Sequence, residues 1–368
     1  MMKDIFYMKK AIKLAKLGEF TTSPNPNVGC IIVKNNIIIG KGWHRKQGEK
    51  HAEIHALSMA KGKTKGATAY VTLEPCSHFG LTPPCCLALI QAGIIRVVIA
   101  VSDPNPKVSG KGIIELKKAG ILIKIGIMSK ESQNLNQGFF KRMKTGIPWI
   151  QLKLGISIDG RSALKNGKSK WITSPESRKD VQYFRKKSGV ILSTSQTILI
   201  DNPLLNVRKD TNILSVSNEA KNQPIRVIID SKNRIQPFHK CVNSKGEIWL
   251  ARLKQDKNIW PNNVKQVIFS QRNNQINLKH LISYLGNCNI NNIWIEAGAS
   301  LSGSLIKLNI IDELILYVAP KLLGHHAKPL CMLEKYLDLN KVPTFTFKDV
   351  TKIGTDIRFI LKIHKNKI

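Results

Sequence analysis

A His-x-Glu triplet, His51-Ala52-Glu53, stands upstream of a polar, proline-rich stretch, "EPCSHFGLTPPCC" at 74–86, which holds three of the chain's seven cysteines. One imidazole and two thiolates are the donor set of a catalytic zinc ion, which keeps a position open for water. A carboxylate held off the metal is then needed to move protons. His51, Cys76 and Cys85 supply the ligands of one Zn2+ per chain, and Glu53 supplies the base. The competing readings are a disulfide staple and buried packing cysteines. An odd cysteine count in a long chain with no export signal argues against the staple. Three thiols in one polar loop downstream of His-x-Glu argue against simple packing.

Cys85 and Cys86 cannot both face one ion. The loop ending in "TPPC" returns Cys85 to the metal at the start of the next helix and turns Cys86 into the interior. Cys30 falls in an apolar strand and reads as core. His55 follows His51 by one helical turn, but the metalloprotease pattern is His-Glu-x-x-His, so His55 reads as structural. His-x-Glu followed by Pro-Cys is the signature of zinc deaminases, with the Glu as acid and base. Here the second cysteine comes nine positions after the first, not in the tighter Cys-x-x-Cys of that signature. The implied chemistry is attack of zinc-acidified water on a ring carbon bearing an amine. Glu53 passes protons from that water first to the ring nitrogen and then to departing ammonia.

These residues need elements to hold them. Apolar Ile5, Met8, Ile12 and Ala15 have the spacing of an amphipathic helix. "VGCIIVKNNIIIGKGW" reads as two strands joined by a turn at Asn35-Asn36. A helix near 51–61, the strand "ATAYVTLE", a helix near 86–92, the strand "RVVIAVSD", a helix near 112–119 and the strand "ILIKIGI" follow. Alternating strands and helices mean a layered α/β sheet. The pattern restarts near Thr145–Pro148, which places one domain at 1–146 and a second at 147–368. The second contains strands "WIQLKLGIS", "GVILS", "IRVIID", "EIWLA", "NIWIEAG" and "ELILYVAP", with helices at 175–187 and 300–309. The polar segments 210–223 and 255–277 read as solvated loops.

The second domain lacks Gly-x-Gly-x-x-Gly after a strand, so the doubly wound dinucleotide fingerprint is absent. "NIWIEAGASLSGSLIK" instead offers a strand, a small-residue turn and a helix opening where backbone N–H groups can approach a phosphate. Gly298 or Ser300 serves equally as a plain helix cap. Arg185 and Arg208 can hold a phosphate through paired donors, or be surface charges. Trp171 is a nicotinamide contact or an apolar wall.

The net charge of +34 raises nucleic-acid binding. The excess is lysine spread evenly, without a basic tail, arginine block or aromatic-interleaved stripe, and no nucleic-acid partner is expected. No apolar run reaches the roughly 18 residues of a membrane span. The N-terminus lacks a secretory pattern, and the location expected is cytoplasmic. A nucleic-acid base deaminase, and a non-enzymatic basic RNA-binding protein with structural zinc, are the alternatives. The long cysteine spacing and the second domain disfavour the first. A ligand set of three rather than four disfavours the second.

"TTSPNPNVGCIIVK", "HAEIHAL", "VTLEPCSHFGLTPPCC", "DPNPKVSGKG", "WITSPESRKDVQ" and "EAGASLSGSL" together resemble the bifunctional deaminase–reductase family of bacterial riboflavin biosynthesis, end to end. The long cysteine loop is that family's own spacing. The resemblance implies an α/β chain: an N-terminal cytidine-deaminase-like three-layer α/β/α domain and a C-terminal dihydrofolate-reductase-like domain. The first would deaminate 2,5-diamino-6-(5-phosphoribosylamino)pyrimidin-4(3H)-one; the second would use NADPH to reduce the product's ribosyl group to ribityl. Asn25 and His44 would bind the deaminase substrate. Gly155, Trp171, Thr197, Asp201, Ser231 and the run Gly298, Ala299, Ser300, Leu301, Ser302, Gly303, Ser304 would line the NADPH site. Ser169, Arg185, Leu205, Arg208 and Glu296 would contact the phosphoribosyl substrate of the reductase. The family commonly forms homo-oligomers. The pattern departs at Leu81, where members often carry a basic residue, which leaves a phosphate contact there to a neighbouring lysine.

Overall fold

A computed structural model describes residues 2–79, 83–106, 109–208, 223–272 and 274–364. Leu81 and the segment 210–222 lie outside the described residues. The chain forms two compact units, Met1–Ile147 and Pro148–Ile368.

In the first unit, helix α1 (Met2–Ala15) precedes strands β1 (Gly29–Lys34) and β2 (Ile37–Trp43). Asn35 and Asn36, both at positive φ (49° and 63°), make the tight turn between these strands. Helix α2 (Ala52–Ala60), strand β3 (Thr68–Val71), helix α3 (Cys85–Gln91), strand β4 (Arg96–Ile99), helix α4 (Lys111–Lys118) and strand β5 (Leu122–Ile125) follow. Helices α5 (Ser129–Leu135) and α6 (Gln137–Thr145) close the unit; neither is anticipated by the sequence reading. The sheet order is β2-β1-β3-β4-β5, antiparallel across β2-β1-β3 and parallel across β3-β4-β5.

Alternate strand residues face opposite sides, and two apolar clusters result. Cys30, Ile32, Val71, Val97 and Ile99 pack with Ala52 and Ala56 of α2, Cys86 and Leu89 of α3, and Leu116 of α4. Ile31, Val33, Tyr70 and Val98 pack with Tyr7, Met8, Ala11 and Ile12 of α1. This is the three-layer α/β/α arrangement. Ile5, expected on the buried face of α1, is exposed. Asp4 turns inward beside it, bonded to both Nη atoms of Arg96, to Lys124 and to Tyr70.

The second unit runs β6 (Trp149–Ser157), β7 (Arg161–Ala163), α7 (Pro175–Lys187), β8 (Val190–Thr194), α8 (Ser195–Asp201), β9 (Ile225–Ile229), β10 (Ile248–Arg252) and β11 (Val264–Ile268). Then come β12 (Gln271–Arg272), β13 (Gln275–Ile276), α9 (Leu278–Asn287), β14 (Asn292–Glu296), α10 (Ala299–Lys307), β15 (Glu313–Ala319), β16 (Lys328–Pro329), β17 (Phe345–Ile353) and β18 (Asp356–Ile363). The main sheet has the order β11-β10-β9-β8-β14-β6-β15-β18-β17. It is parallel from β11 to β15, with the β17–β18 hairpin added antiparallel. Two corrections to the sequence reading arise here. Segment 255–277 is not all loop: β11 and the short β12–β13 ribbon lie within it, formed by ladder pairing despite a polar, asparagine-rich composition. The β17–β18 hairpin was also missed, because much of its apolar content is solvent-facing, Phe347, Val350 and Ile357 among it. One face of the sheet packs Phe184 flat on Trp294, 4.9 Å between centroids, with Ile191, Ile228, Leu250 and Tyr317. Ile293 and Ile295 alternate to the other face and are fully buried.

Candidate functional site

In the first unit the chemistry sits where two helices begin. His51 is the N-cap residue of α2, in extended conformation, so its imidazole projects from the helix end. Cys85 opens α3. The ligand atoms of His51, Cys76 and Cys85 lie within 4.8 Å of one another. His51 Nδ1 is 3.3 Å from Cys85 Sγ and 3.6 Å from Cys76 Sγ. The Cys85 backbone N–H donates to Cys76 Sγ at 3.3 Å. The Cys85 thiol, followed by His51, lowers the Cys76 thiol against the effect of burial. Donation to Cys76, together with burial, raises Cys85. Cys86 and Cys30 lie in the apolar cluster, 1% and 0% exposed. His55 Nε2 is buried without a hydrogen-bond partner and is not among the converging ligands.

Glu53, in the first turn of α2, is 3% exposed, and burial pushes its carboxyl up to about 7. A cavity of about 310 Å³ is lined by His51, Glu53 and Cys76, and also by Asn25, Val28, His44, Leu73, Asp103 and Phe139. Asn25 Nδ2 donates to His44 Nε2 at 3.2 Å. Since a carbonyl can only accept, His44 Nδ1 carries the proton toward Lys50 O at 3.3 Å. The imidazole is therefore neutral, and burial lowers its pKa.

Two acids were missed by sequence reasoning. Glu74 is buried and accepts the N–H groups of Asp103 (3.1 Å), Gly110 (3.1 Å) and Ile113 (3.3 Å). It ties the cysteine loop to the start of α4. Asp103 lines the cavity, and burial pushes it up to about 6. The only signal was that both lie within stretches quoted for their resemblance; spacing gave neither a role.

In the second unit Thr197 follows β8, Ser231 follows β9 and Glu296 ends β14, all at the ends of parallel strands, where open α/β sheets bind ligands. Arg185 Nε and Nη2 donate to the two Glu296 oxygens at 2.6 and 2.9 Å, and Arg185 Nη1 donates to Asn206 O. Trp294 Nε1 also donates to Glu296. Ser169 Oγ donates to Asp201 at 3.5 Å. Thr197 N–H donates to the Thr194 side chain that caps α8. The Arg178 guanidinium covers the exposed Trp171 ring at 4.3 Å. A Cβ at Gly155 would press on Thr173 at 3.1 Å. Ser231 follows buried Asp230, which accepts from Arg252. Arg208 is exposed, its backbone N–H on Gln182. Leu205 is buried in the core cluster at φ 48°, so contact from this position to a ligand has to come from the backbone.

The 298–304 run divides. Gly298, Ala299, Ser300 and Leu301 form the opening of α10, with Gly298 as N-cap. Ser302 and Gly303 turn inward: a Cβ on Gly303 would meet Met332 O at 1.8 Å, so this glycine admits a neighbouring backbone. Ser304 Oγ donates to Ser300 O. Lys153, unassigned from sequence, faces Glu296 and Arg185 electrostatically, and burial lowers its pKa.

Comparison with known proteins agrees with both halves. Residues 1–101 match the cytidine and deoxycytidylate deaminase zinc-binding region, and residues 148–359 match the RibD C-terminal domain. The riboflavin biosynthesis protein RibD of Buchnera aphidicola subsp. Baizongia pistaciae is 62% identical over 371 residues, covering 99% of this chain and 100% of that protein. A diaminohydroxyphosphoribosylamino-pyrimidine deaminase of Buchnera aphidicola subsp. Schizaphis graminum is 70% identical over 147 residues, 40% of this chain and all of that one. The solved structure of Acinetobacter baumannii RibD superposes with a TM-score of 0.91 at 41% identity, covering 99% of each chain. The chain belongs to the RibD family, the bifunctional deaminase–reductases of riboflavin biosynthesis.

Proposed function

We propose that the first unit hydrolyses the 2-amino group of 2,5-diamino-6-(5-phosphoribosylamino)pyrimidin-4(3H)-one, and that the second reduces the ribosyl group of the resulting 5-amino-6-(5-phosphoribosylamino)uracil to ribityl with NADPH. The observation that carries the reading is the convergence of His51, Cys76 and Cys85 beside a buried carboxylate, Glu53, at the floor of a cavity. The donor set suits zinc: one imidazole and two sulfurs within reach of one centre, with a thiol pair already disposed to lose a proton. Zinc bound there supplies an acidified, polarised water. Glu53 would pass one proton of the attacking water to the ring nitrogen and the second, from the hydroxyl of the adduct at the ring carbon, to the amine, which leaves as ammonia when its C–N bond breaks. Asn25 and neutral His44 orient the base.

In the second unit, Arg185, Arg208, Ser169, the Leu205 backbone and Glu296 hold the phosphoribosyl substrate. Gly155, Trp171, Thr197, Asp201, Ser231 and the 298–304 turn hold NADPH, which supplies the hydride. The residues' task is positioning. The odd cysteine count in a chain of this length supports a reducing compartment, and we assign the enzyme to the cytoplasm as a homo-oligomer. The test is ammonia release and NADPH oxidation by zinc-loaded protein on the phosphoribosylated diaminopyrimidine. Both activities are expected; absence of both in folded protein would overturn the reading.

A further inference from the structure

The zinc-binding region matched in the first unit ends at residue 101, and the reductase match begins at 148. Residues 102–147 belong to neither, yet they contribute Asp103, Asn105 and Phe139 to the lining of the deaminase cavity. The α5–α6 elbow within this segment is bonded into the site at a specific place. Asn136, at the joint of the two helices and 5% exposed, pairs its carboxamide with the Asn27 backbone. Asn27 N–H donates to Asn136 Oδ1 at 2.7 Å, and Asn136 Nδ2 donates to Asn27 O at 2.9 Å. Asn27 Oδ1 in turn accepts from buried Thr22 at 2.7 Å. Ser132 of α5 donates to Thr72 O, and Thr72 Oγ1 accepts from Gly29 N–H.

The elbow thus holds the chain immediately C-terminal to Asn25, whose side chain meets His44. One helical turn beyond Asn136, Phe139 packs with Val28 and Leu73, which also line the cavity. We infer that Asn136 is a positioning residue for substrate binding by the deaminase: its carboxamide acts as a surrogate peptide group that fixes the Asn25-Pro26-Asn27 turn. The inference rests on the deaminase reading. His51 and Glu53 stand at the start of α2, Cys76 lies in the loop between β3 and α3, and Cys85 opens α3; none is hydrogen-bonded to Asn136. Loosening the turn therefore acts on substrate affinity and leaves the zinc chemistry in place.

The experiment uses the full chain and two variants, Asn136→Ala and Asn136→Asp. The carboxylate of the second keeps the volume and the acceptor for Asn27 N–H, but it sets an oxygen against Asn27 O where a donor stood. Both variants are expected to raise KM for the diaminopyrimidine by about tenfold or more, the scale of a lost buried hydrogen bond. The deaminase kcat should stay within about threefold. Zinc content and reduction of the deaminated product are expected to be unchanged. A wild-type KM in Asn136→Asp would overturn the inference, since a space-filling role alone tolerates that change. A fall in kcat with loss of zinc would overturn it as well, by placing Asn136 in the scaffold of the metal site. Failure of wild-type protein to deaminate this substrate would refute the functional reading itself.

Discussion

At the scale of single residues, the deaminase half turns on how one carboxyl and two thiols are shared out. Glu53 is nearly inaccessible, and burial pushes its carboxyl up to about 7, which leaves a group poised to accept and return a proton near neutrality. Glu53→Gln is expected to cut deaminase kcat by about 10²- to 10⁴-fold with zinc content and reductase rate unchanged. Zinc analysis together with ammonia release checks this, and loss of metal would make Glu53 a ligand instead. Cys85→Ser is expected to lose the metal while Cys86→Ser retains it, because Cys86 faces the apolar cluster; the reverse pattern would move the ligand assignment to Cys86. The pieces of this site were legible because His-x-Glu and clustered cysteines carry their chemistry in residue type and spacing. Glu74 and Lys153 were not. Each acts on groups brought near only by the fold, and nothing in local sequence marks such a residue.

Secondary-structure elements place those residues by close approach. A Cβ on Gly42 of β2 would meet Ala52 O at 2.1 Å and Ala56 N at 2.6 Å. Gly42 therefore lets α2 lie directly on the strand, and α2 carries Glu53 with His51 at its cap. Gly42→Ala forces the helix outward at a cost of about 1–3 kcal/mol. The expected result is a lower denaturation midpoint together with weaker zinc retention against a chelator. A destabilised variant with unchanged zinc affinity would show that α2 can shift without moving His51. Elements with strong periodicity were readable: α7 occupies 175–187 as expected, and the apolar strands of both sheets fall where their runs lie. The β17–β18 hairpin and α5–α6 were not, since their partners rather than their patterns make them fold. The α5–α6 elbow illustrates this well, its anchor being an asparagine that in sequence looks like any loop residue.

At the scale of the whole molecule, the charge excess has an inward counterpart. Lysine and arginine number 58 against 24 acids, and many of the scarce acids are buried partners, among them Asp4, Glu74, Asp230, Glu313 and Asp356. Spread lysines keep the surface cationic while carboxylates hold elements together inside. Such a protein concentrates its acid sensitivity in a few groups. In the first unit the paired Arg96 guanidinium, aided by Lys124, holds Asp4 well below the ordinary carboxylate range despite burial. In the second, Arg185 and Lys153 overcome burial and hold Glu296 at about 2. A carboxyl depressed in the folded state binds fewer protons there than in the unfolded chain. Its stabilisation is complete above the unfolded value of about 4 and drains away as pH falls toward the folded value. Asp4→Asn removes that contribution from the first unit. Hydrogen exchange of first-unit amides should show wild type more protected than Asp4→Asn at pH 7, with the gap narrowing below about pH 4. A gap that stays constant from pH 7 to pH 3 would mean that Asp4 stabilises the α1–sheet contact through its shape alone, and not through its charge.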